Sequence, residues 1–414
     1  MTTDAVDSVA EAGSSPRVRP QFRPDIEGLR AVAVGLVLAF HGYSEPFTGG
    51  FIGVDVFFVI SGFLITSLLL RERLKKGRIS ILGFYARRVR RILPASALVV
   101  VCTVVATYYL LGFIAGNDVA DDAKWTAAFA ANIHFGLLGT NYLGSQLPPS
   151  PLQHMWSLGV EEQFYVAWPG LFLLLVLLVR GARHRWAMGA VLLAVIASSL
   201  SWSILQTETN ATWAYFSPLT RAWELGLGAL IAVGATGLGG LTSRWVAETV
   251  AALGMVFIGG SALLFDDTTP FPGSAVALPV VGTGLMIAAG CANECTLVGR
   301  MLSLRPMQWV GARSYSLYLW HWPPLIIAAQ YLGDELTSLQ VTALLAGAVL
   351  ASALTYRLLE NPVRRSRYLA SRTGLTLGIG AALIVGQIAI AQTFIATHHG
   401  TWNPLQATTI TEDS

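Results

Sequence analysis

Arg30 and His41 stand 11 residues apart in the apolar stretch DIEGLRAVAVGLVLAFHG. At 100° per residue this is three turns plus about 20°, so a helix carries both on one face, about 16 Å apart along its axis. An ionisable side chain inside a membrane span is costly unless paired or wetted, which makes each one a functional candidate. The arginine end of such a face can meet an anion from the cytosol, while the histidine waits deeper. The plainer reading is a snorkelling Arg30 and a hydrogen-bonded core His41.

Other stretches hold comparable groups. Asp55, in GGFIGVDVFFVISGFLIT, could orient His41 and fix its tautomer, or stay hydrated at the interface. In FYARRVRRILP, Arg87, Arg88, Arg90 and Arg91 form a cluster whose guanidinium forks suit the phosphates of a cosubstrate such as coenzyme A, or simply anchor the chain on its positive side. Glu161 and Glu162, in HMWSLGVEEQFYVAWP, fall in the first turn of a helix, where carboxylates favour its dipole. Pointing about 100° apart, one of them is expected to face the bundle. Arg221 and Glu224 are spaced to neutralise each other across one turn.

His321, in SYSLYLWHWPPLII, sits between Trp320 and Trp322 near the middle of a span, just before Pro323 and Pro324, which are expected to break the helix. Trp, His and Pro at that depth suit a cavity wall, or a packed, satisfied histidine. Glu360 lies beside the basic run of TYRLLENPVRR, where a charge network accounts for it. Histidines are scattered rather than spaced as metal ligands, so no metal is expected.

Helices crossing a bilayer must position these residues. Of 414 residues, 54% are hydrophobic and 12% charged, with 41 glycines and 12 tryptophans, against about 25% charged in a soluble domain. Long apolar runs fit helical spans rather than barrel strands, and the balance disfavours nucleic-acid binding and disulfide scaffolds. Cys102, Cys291 and Cys295 suggest small buried side chains. Residues 1–20 lack an apolar run, so no cleavable signal is expected and the first span is retained.

Twelve segments of about 20 apolar residues qualify as spans; the weakest, 122–139, carries Asp122, Lys124, Asn132 and His134. Omitting it places 25 of the 27 Lys and Arg residues on the cytoplasmic side, whereas including it places 14 there. The expectation is an all-α polytopic bundle of about 11 transmembrane helices with a cytoplasmic N-terminus. Segment 122–139 then lies on or dips into the outer face, and the tail from His398 to Ser414 is extracytoplasmic. No internal repeat is visible, which counts against an inverted-repeat transporter.

In order and spacing, RPDIEGLRAVAV with its Arg-x10-His pair, GVDVFFVISGFLIT, FYARRVRRILP, WSLGVEEQFYVAWP, RAWELGLGAL, SYSLYLWHWP and the ENP run resemble the acyltransferase-3 family of membrane-bound O-acyltransferases. The resemblance covers about residues 22–365. It implies roles for Arg30 and His41, for Arg87 with Arg90 or Arg88 with Arg91, and for Tyr356, Glu360 and Pro362; Thr355 stands where the family's last motif has serine. The implied activity is transfer of an acyl group, acetyl above all, from cytosolic acyl-CoA across a bacterial cytoplasmic membrane to a hydroxyl of a surface glycan or glycolipid. In that scheme His41, Asp55, Glu162 and His321 serve the transfer, with Glu162 or His321 on the acceptor side.

The domain plan is a cytoplasmic tail (1–25), the acyltransferase membrane domain (26–365), a basic linker (366–373), an additional transmembrane helix (374–396) and a short extracytoplasmic tail (397–414). Many relatives carry an SGNH-type domain after that extra span, so the expectation is either a chain cut before such a domain or a separate SGNH-type extracytoplasmic protein as partner. The competing class is a transporter or flippase in which the same polar residues line a substrate path.

Overall fold

A computed structural model describes residues 22–43, 45–140, 148–179, 183–238, 243–293, 296–333 and 335–397. The predicted tails 1–25 and 397–414 lie almost wholly outside these. Among the described residues every regular element is helical: α1 (Pro24–Gly42), α2 (Gly53–Lys76), α3 (Ile81–Ala127), α4 (Ala131–Leu137), α5 (Trp156–Leu178), α6 (Arg183–Thr209), α7 (Ala211–Phe216) and α8 (Pro218–Leu238). The second half continues with α9 (Arg244–Leu264), α10 (Ala277–Ala292), α11 (Leu297–Leu302), α12 (Arg305–Leu332), α13 (Ser338–Thr355), α14 (Asn361–Arg365), α15 (Arg367–Ser371) and α16 (Thr373–Thr397).

Seven of the described helical stretches are long and apolar enough to cross a bilayer: Gly50–Lys76, Ile81–Ala127, Gln153–Leu178, Arg185–Thr209, Arg244–Leu264, Ser338–Ser371 and Thr373–Thr397. This is the make-up of a polytopic membrane protein. The expected count of 11 is reached only in part: α10 is apolar but short, and α1, α8 and α12 are not among the seven either. Those three carry Arg30 and His41, Arg221 and Glu224, and Arg313 and His321.

Segment 122–139 is not a span of its own. Gly112 takes φ 84° and ψ −179° inside α3, a conformation open to glycine and strained for other residues. The chain turns there and folds back on itself: the Tyr108 hydroxyl donates to Asn117 Oδ1 at 2.5 Å, and Gly116 lies against the Tyr108 ring. The returning limb ends at Ala128–Ala130, which line a pocket with Val89 and Ile92 from the start of α3. Segment 122–139 thus supplies the returning limb of a hairpin, completed by α4.

Glycines bring the site-bearing helices close. A Cβ on Gly62 of α2 would fall 1.9 Å from Leu225 O of α8, and one on Gly228 of α8 would fall 1.9 Å from Val59 O of α2. Gly311 of α12 meets Glu27 O of α1 equally tightly. Small residues at such crossings let backbones approach where lipid supplies no hydrophobic drive. Contrary to expectation, α12 is not broken at Pro323 and Pro324 but runs through both to Leu332. Their missing N–H groups leave the carbonyls four residues earlier without helical donors, and neighbouring side chains can satisfy such groups in a packed bundle.

Candidate functional site

His41, in the last turn of α1, meets His321 of α12. Nδ1 of His41 lies 3.0 Å from Nε2 of His321, with the rings stacked 5.1 Å apart. His321 Nδ1 is 2.7 Å from the Tyr318 carbonyl, which can only accept, so Nδ1 of neutral His321 bears the hydrogen. Its Nε2 lone pair then accepts from His41 Nδ1–H, and the His41 lone pair falls on Nε2. Trp322 packs edge-on against His41 at 4.4 Å and donates from its indole to Ser150 O at 2.9 Å. Ser150 also bonds Asp122, as does His134 at 2.8 Å. The hairpin therefore braces the histidine pair through Ser150 and Trp322.

On the other side of Tyr318 is a cavity of about 80 Å³ lined by α1, α2, α3, α5 and α12. Glu161 accepts from Ser61 at 2.7 Å and from the Tyr165 hydroxyl. Arg88 donates to Glu162 at 2.6 Å and lies 3.9 Å over the Tyr165 ring. Because α5 begins at Trp156, the two glutamates sit in its second turn and both line the cavity, rather than one alone facing inward from a first turn. Glu162 belongs to the arginine end and is not grouped with His321.

A wider pocket of about 380 Å³ shares Leu64, Ile65, Arg88 and Arg91 with this cavity and adds Arg23, Arg71 and Arg87 at its mouth. The four clustered arginines differ in their partners. Arg87 pairs with Glu72 at 2.6 Å, and Arg90 donates to the carbonyls of Ala86 and Ser366. Arg88 and Arg91 both line the cavity, as does Arg30, whose partner is Glu27 at 3.3 Å. Among the described residues no carboxylate lies within ion-pair distance of Arg91, and the positive charges of Arg30, Arg88 and Arg364 act on it. The spacing that brings two arginines to the cavity is Arg88 with Arg91.

Asp55 does not reach His41. Its carboxylate accepts from Arg221 at 2.7 Å, and Arg221 also donates to Glu224 at 3.1 Å. All three side chains are buried, and the Trp156, Tyr215 and Phe271 rings surround the guanidinium. The i,i+3 neutralisation of Arg221 by Glu224 is present, enlarged by a third member on α2. This trio is a structural clasp between α2 and α8.

The last motif forms a π-helical turn, Tyr356–Glu360. Glu360 accepts from Ser316 at 2.6 Å, with Arg91, Arg364 and Arg30 among the charges acting on it. Arg313 lies 4.8 Å over the Tyr356 ring, and Pro362 opens α14. Thr355 keeps a working hydroxyl, accepting from Trp320 Nε1 at 2.9 Å. Among the described residues no group of His, Cys, Asp and Glu is arranged to hold a metal ion.

Residue types alone did not single out Ser61, Tyr165, Tyr318 or His154. His154, ahead of α5, is a third imidazole, with its ring 5.6 Å from that of His321. Its place at the head of the run HMWSLGVEEQFY, three residues after the last proline of LPPSPLQH, was the available signal.

Over residues 23–357 the chain matches the acyltransferase domain family. It is 32% identical to YrhL of Bacillus subtilis over 83% of its own length and 55% of that protein's. It is 30% identical to the peptidoglycan O-acetyltransferase OatA of Listeria monocytogenes and to the O-acetyltransferase OatA of Staphylococcus aureus, over 85% of this chain in each case and 57% and 58% of theirs. The chain thus spans little more than half the length of these relatives. No solved structure matches it. The ordered motifs, the helical bundle that gathers them and the match across most of the chain agree: this protein belongs to the acyltransferase-3 family.

Proposed function

We propose that the protein transfers an acyl group, acetyl above all, from cytosolic acyl-CoA to a hydroxyl of an extracytoplasmic glycan or glycolipid, working in a bacterial cytoplasmic membrane. The observation that carries this reading is a chain of contacts: a basic pocket shares Arg88 and Arg91 with a narrow cavity, Tyr318 lines that cavity, and its carbonyl holds the ring of His321, which meets His41. Coenzyme A phosphates suit Arg71, Arg87 and the cavity arginines Arg88 and Arg91, since guanidinium forks bind phosphate bidentately. The pantetheine arm is slender enough to follow the cavity and bring the thioester toward Tyr318. His41 Nε2 carries the lone pair that takes the acyl group or the acceptor's proton, and His321 holds it in that tautomer. Buried aromatic walls keep water from the thioester.

The relatives' names point to peptidoglycan as the kind of acceptor, and an SGNH-type extracytoplasmic unit, on a further stretch of the chain or on a separate protein, is the partner that would extend its reach. Binding of acetyl-CoA to the purified protein in nanodiscs tests the donor side. Arg88→Ala and Arg91→Ala are expected to weaken binding at least tenfold, and Arg90→Ala less than threefold. Equal effects from all three would remove the donor assignment.

A further inference from the structure

His154 is fully buried, and its Nε2 lies 3.2 Å from the Leu319 carbonyl. That carbonyl is the one left without a helical donor by Pro323, four residues on. Because a carbonyl can only accept, Nε2 of neutral His154 carries the hydrogen and Nδ1 carries the lone pair. Nδ1 is buried and has no hydrogen-bond partner among the described residues. Buried polar atoms without partners are rare and ask for an explanation. This one belongs to a ring that leans on both His321 and Trp322, the two side chains that also pack against His41. The Tyr318 hydroxyl fixes the same residue's backbone, donating to His154 O at 2.8 Å and joined to Ser157 at 2.6 Å. The imidazole is thus locked in position and tautomer from two sides while its one basic atom is unused.

We propose that His154 Nδ1 is the general base for the acceptor hydroxyl, and that His41 Nε2 is the acyl carrier. This rests on the acyl-transfer reading above and divides the work between the two lone pairs. In the first step His41 Nε2 attacks the thioester carbon, the C–S bond breaks, and sulfur leaves with the electron pair and takes a proton from water at the cytosolic mouth. In the second, the acceptor oxygen bonds to the acyl carbon while its proton passes to His154 Nδ1. The C–N bond breaks with its electrons returning to His41 Nε2, and His154 later releases the proton to water. The sum is one acyl-CoA and one alcohol converted to one thiol and one ester. Pro323 is a positioning residue for His154.

The test uses the full chain in nanodiscs with acetyl-CoA, following coenzyme A release with water or hydroxylamine as acceptor. His154→Gln keeps a donor toward Leu319 O but has no base at the Nδ1 position. It is expected to release one equivalent of coenzyme A at the wild-type rate and then to turn over about 100-fold more slowly, the scale of a lost general base. Hydroxylamine, a nucleophile that needs no base, should restore its turnover to within a few-fold of wild type. Pro323→Ala, which gives Leu319 O a helical donor, should show a weaker loss with the same rescue. Unchanged turnover of His154→Gln in water would overturn the proposal. So would loss of the first equivalent together with failure of hydroxylamine, the pattern of a purely structural residue. If wild-type protein releases no coenzyme A, the acyl-transfer reading itself fails and this assignment falls with it. If wild type is active and only His154→Gln is indifferent, the reading stands without it.

Discussion

At the scale of single residues, pairing decides which ionisable groups are free to act. Asp55 and Glu224 are committed to Arg221 in a fully buried trio. Removing one member of a fully buried pair typically costs about 3–5 kcal/mol, because the other charge is left uncompensated. Asp55→Asn is therefore expected to lower the unfolding temperature of the protein in nanodiscs sharply. Wild-type stability with a selective loss of turnover would instead return Asp55 to the transfer chemistry. The candidate residues were legible as residue types, since an ionisable group in an apolar run stands out. Their partners were not: Asp55 and Arg221 are 166 positions apart, and nothing in the local pattern says which distant charge will meet which. His154 escaped notice for a related reason, because its significance depends on a carbonyl that a proline frees 165 residues away.

At the scale of helices, close crossings set the site's geometry. A Cβ at Gly62 would sit 1.9 Å from Leu225 O, whereas one at Gly35 would meet nothing within 4 Å. Gly62→Ala should destabilise by about 1–3 kcal/mol through forced separation of α2 from α8. It should also reduce acetyl-CoA turnover, since Ser61 moves with it away from Glu161. Gly35→Ala should leave both unchanged or raise stability by up to about 1 kcal/mol. Equal behaviour of the two variants in thermal unfolding would contradict this account of the crossing.

The hairpin carries a related strain. Phe129 takes φ 55°, a left-handed conformation that costs a side-chain-bearing residue about 1–2 kcal/mol, and its carbonyl accepts from Gln163 at 2.9 Å. Phe129→Gly removes that strain together with the ring. A gain in stability would show that backbone strain outweighs the packing of the ring. The helical periodicity of 122–139 was readable in the sequence, but its fold-back was not, because the turn at Gly112 and the side chains that dock the returning limb leave no mark in hydropathy.

At the scale of the whole molecule, motifs scattered along the chain gather in the bundle, the arginines around one cavity and His41 against His321. Composition was enough to read a polytopic helical protein, because burial in lipid allows few charges. Sidedness is a prediction of the Lys and Arg distribution. Single cysteines at Ser80 and Thr268, both exposed in loops, should react with a membrane-impermeant maleimide from opposite faces, Ser80→Cys from the cytoplasmic one. Labelling of both from one face would contradict the 11-span topology.

The central claim is that an acyl group leaves coenzyme A by way of His41, and one measurement addresses it most directly. Purified protein in nanodiscs is given acetyl-CoA, and free coenzyme A is followed for wild type, His41→Ala and Arg88→Ala/Arg91→Ala. The account predicts saturable release by wild type. It predicts none above background for His41→Ala, with acetyl-CoA binding retained, and loss of binding itself in the arginine variant. Release by His41→Ala at the wild-type rate would contradict it.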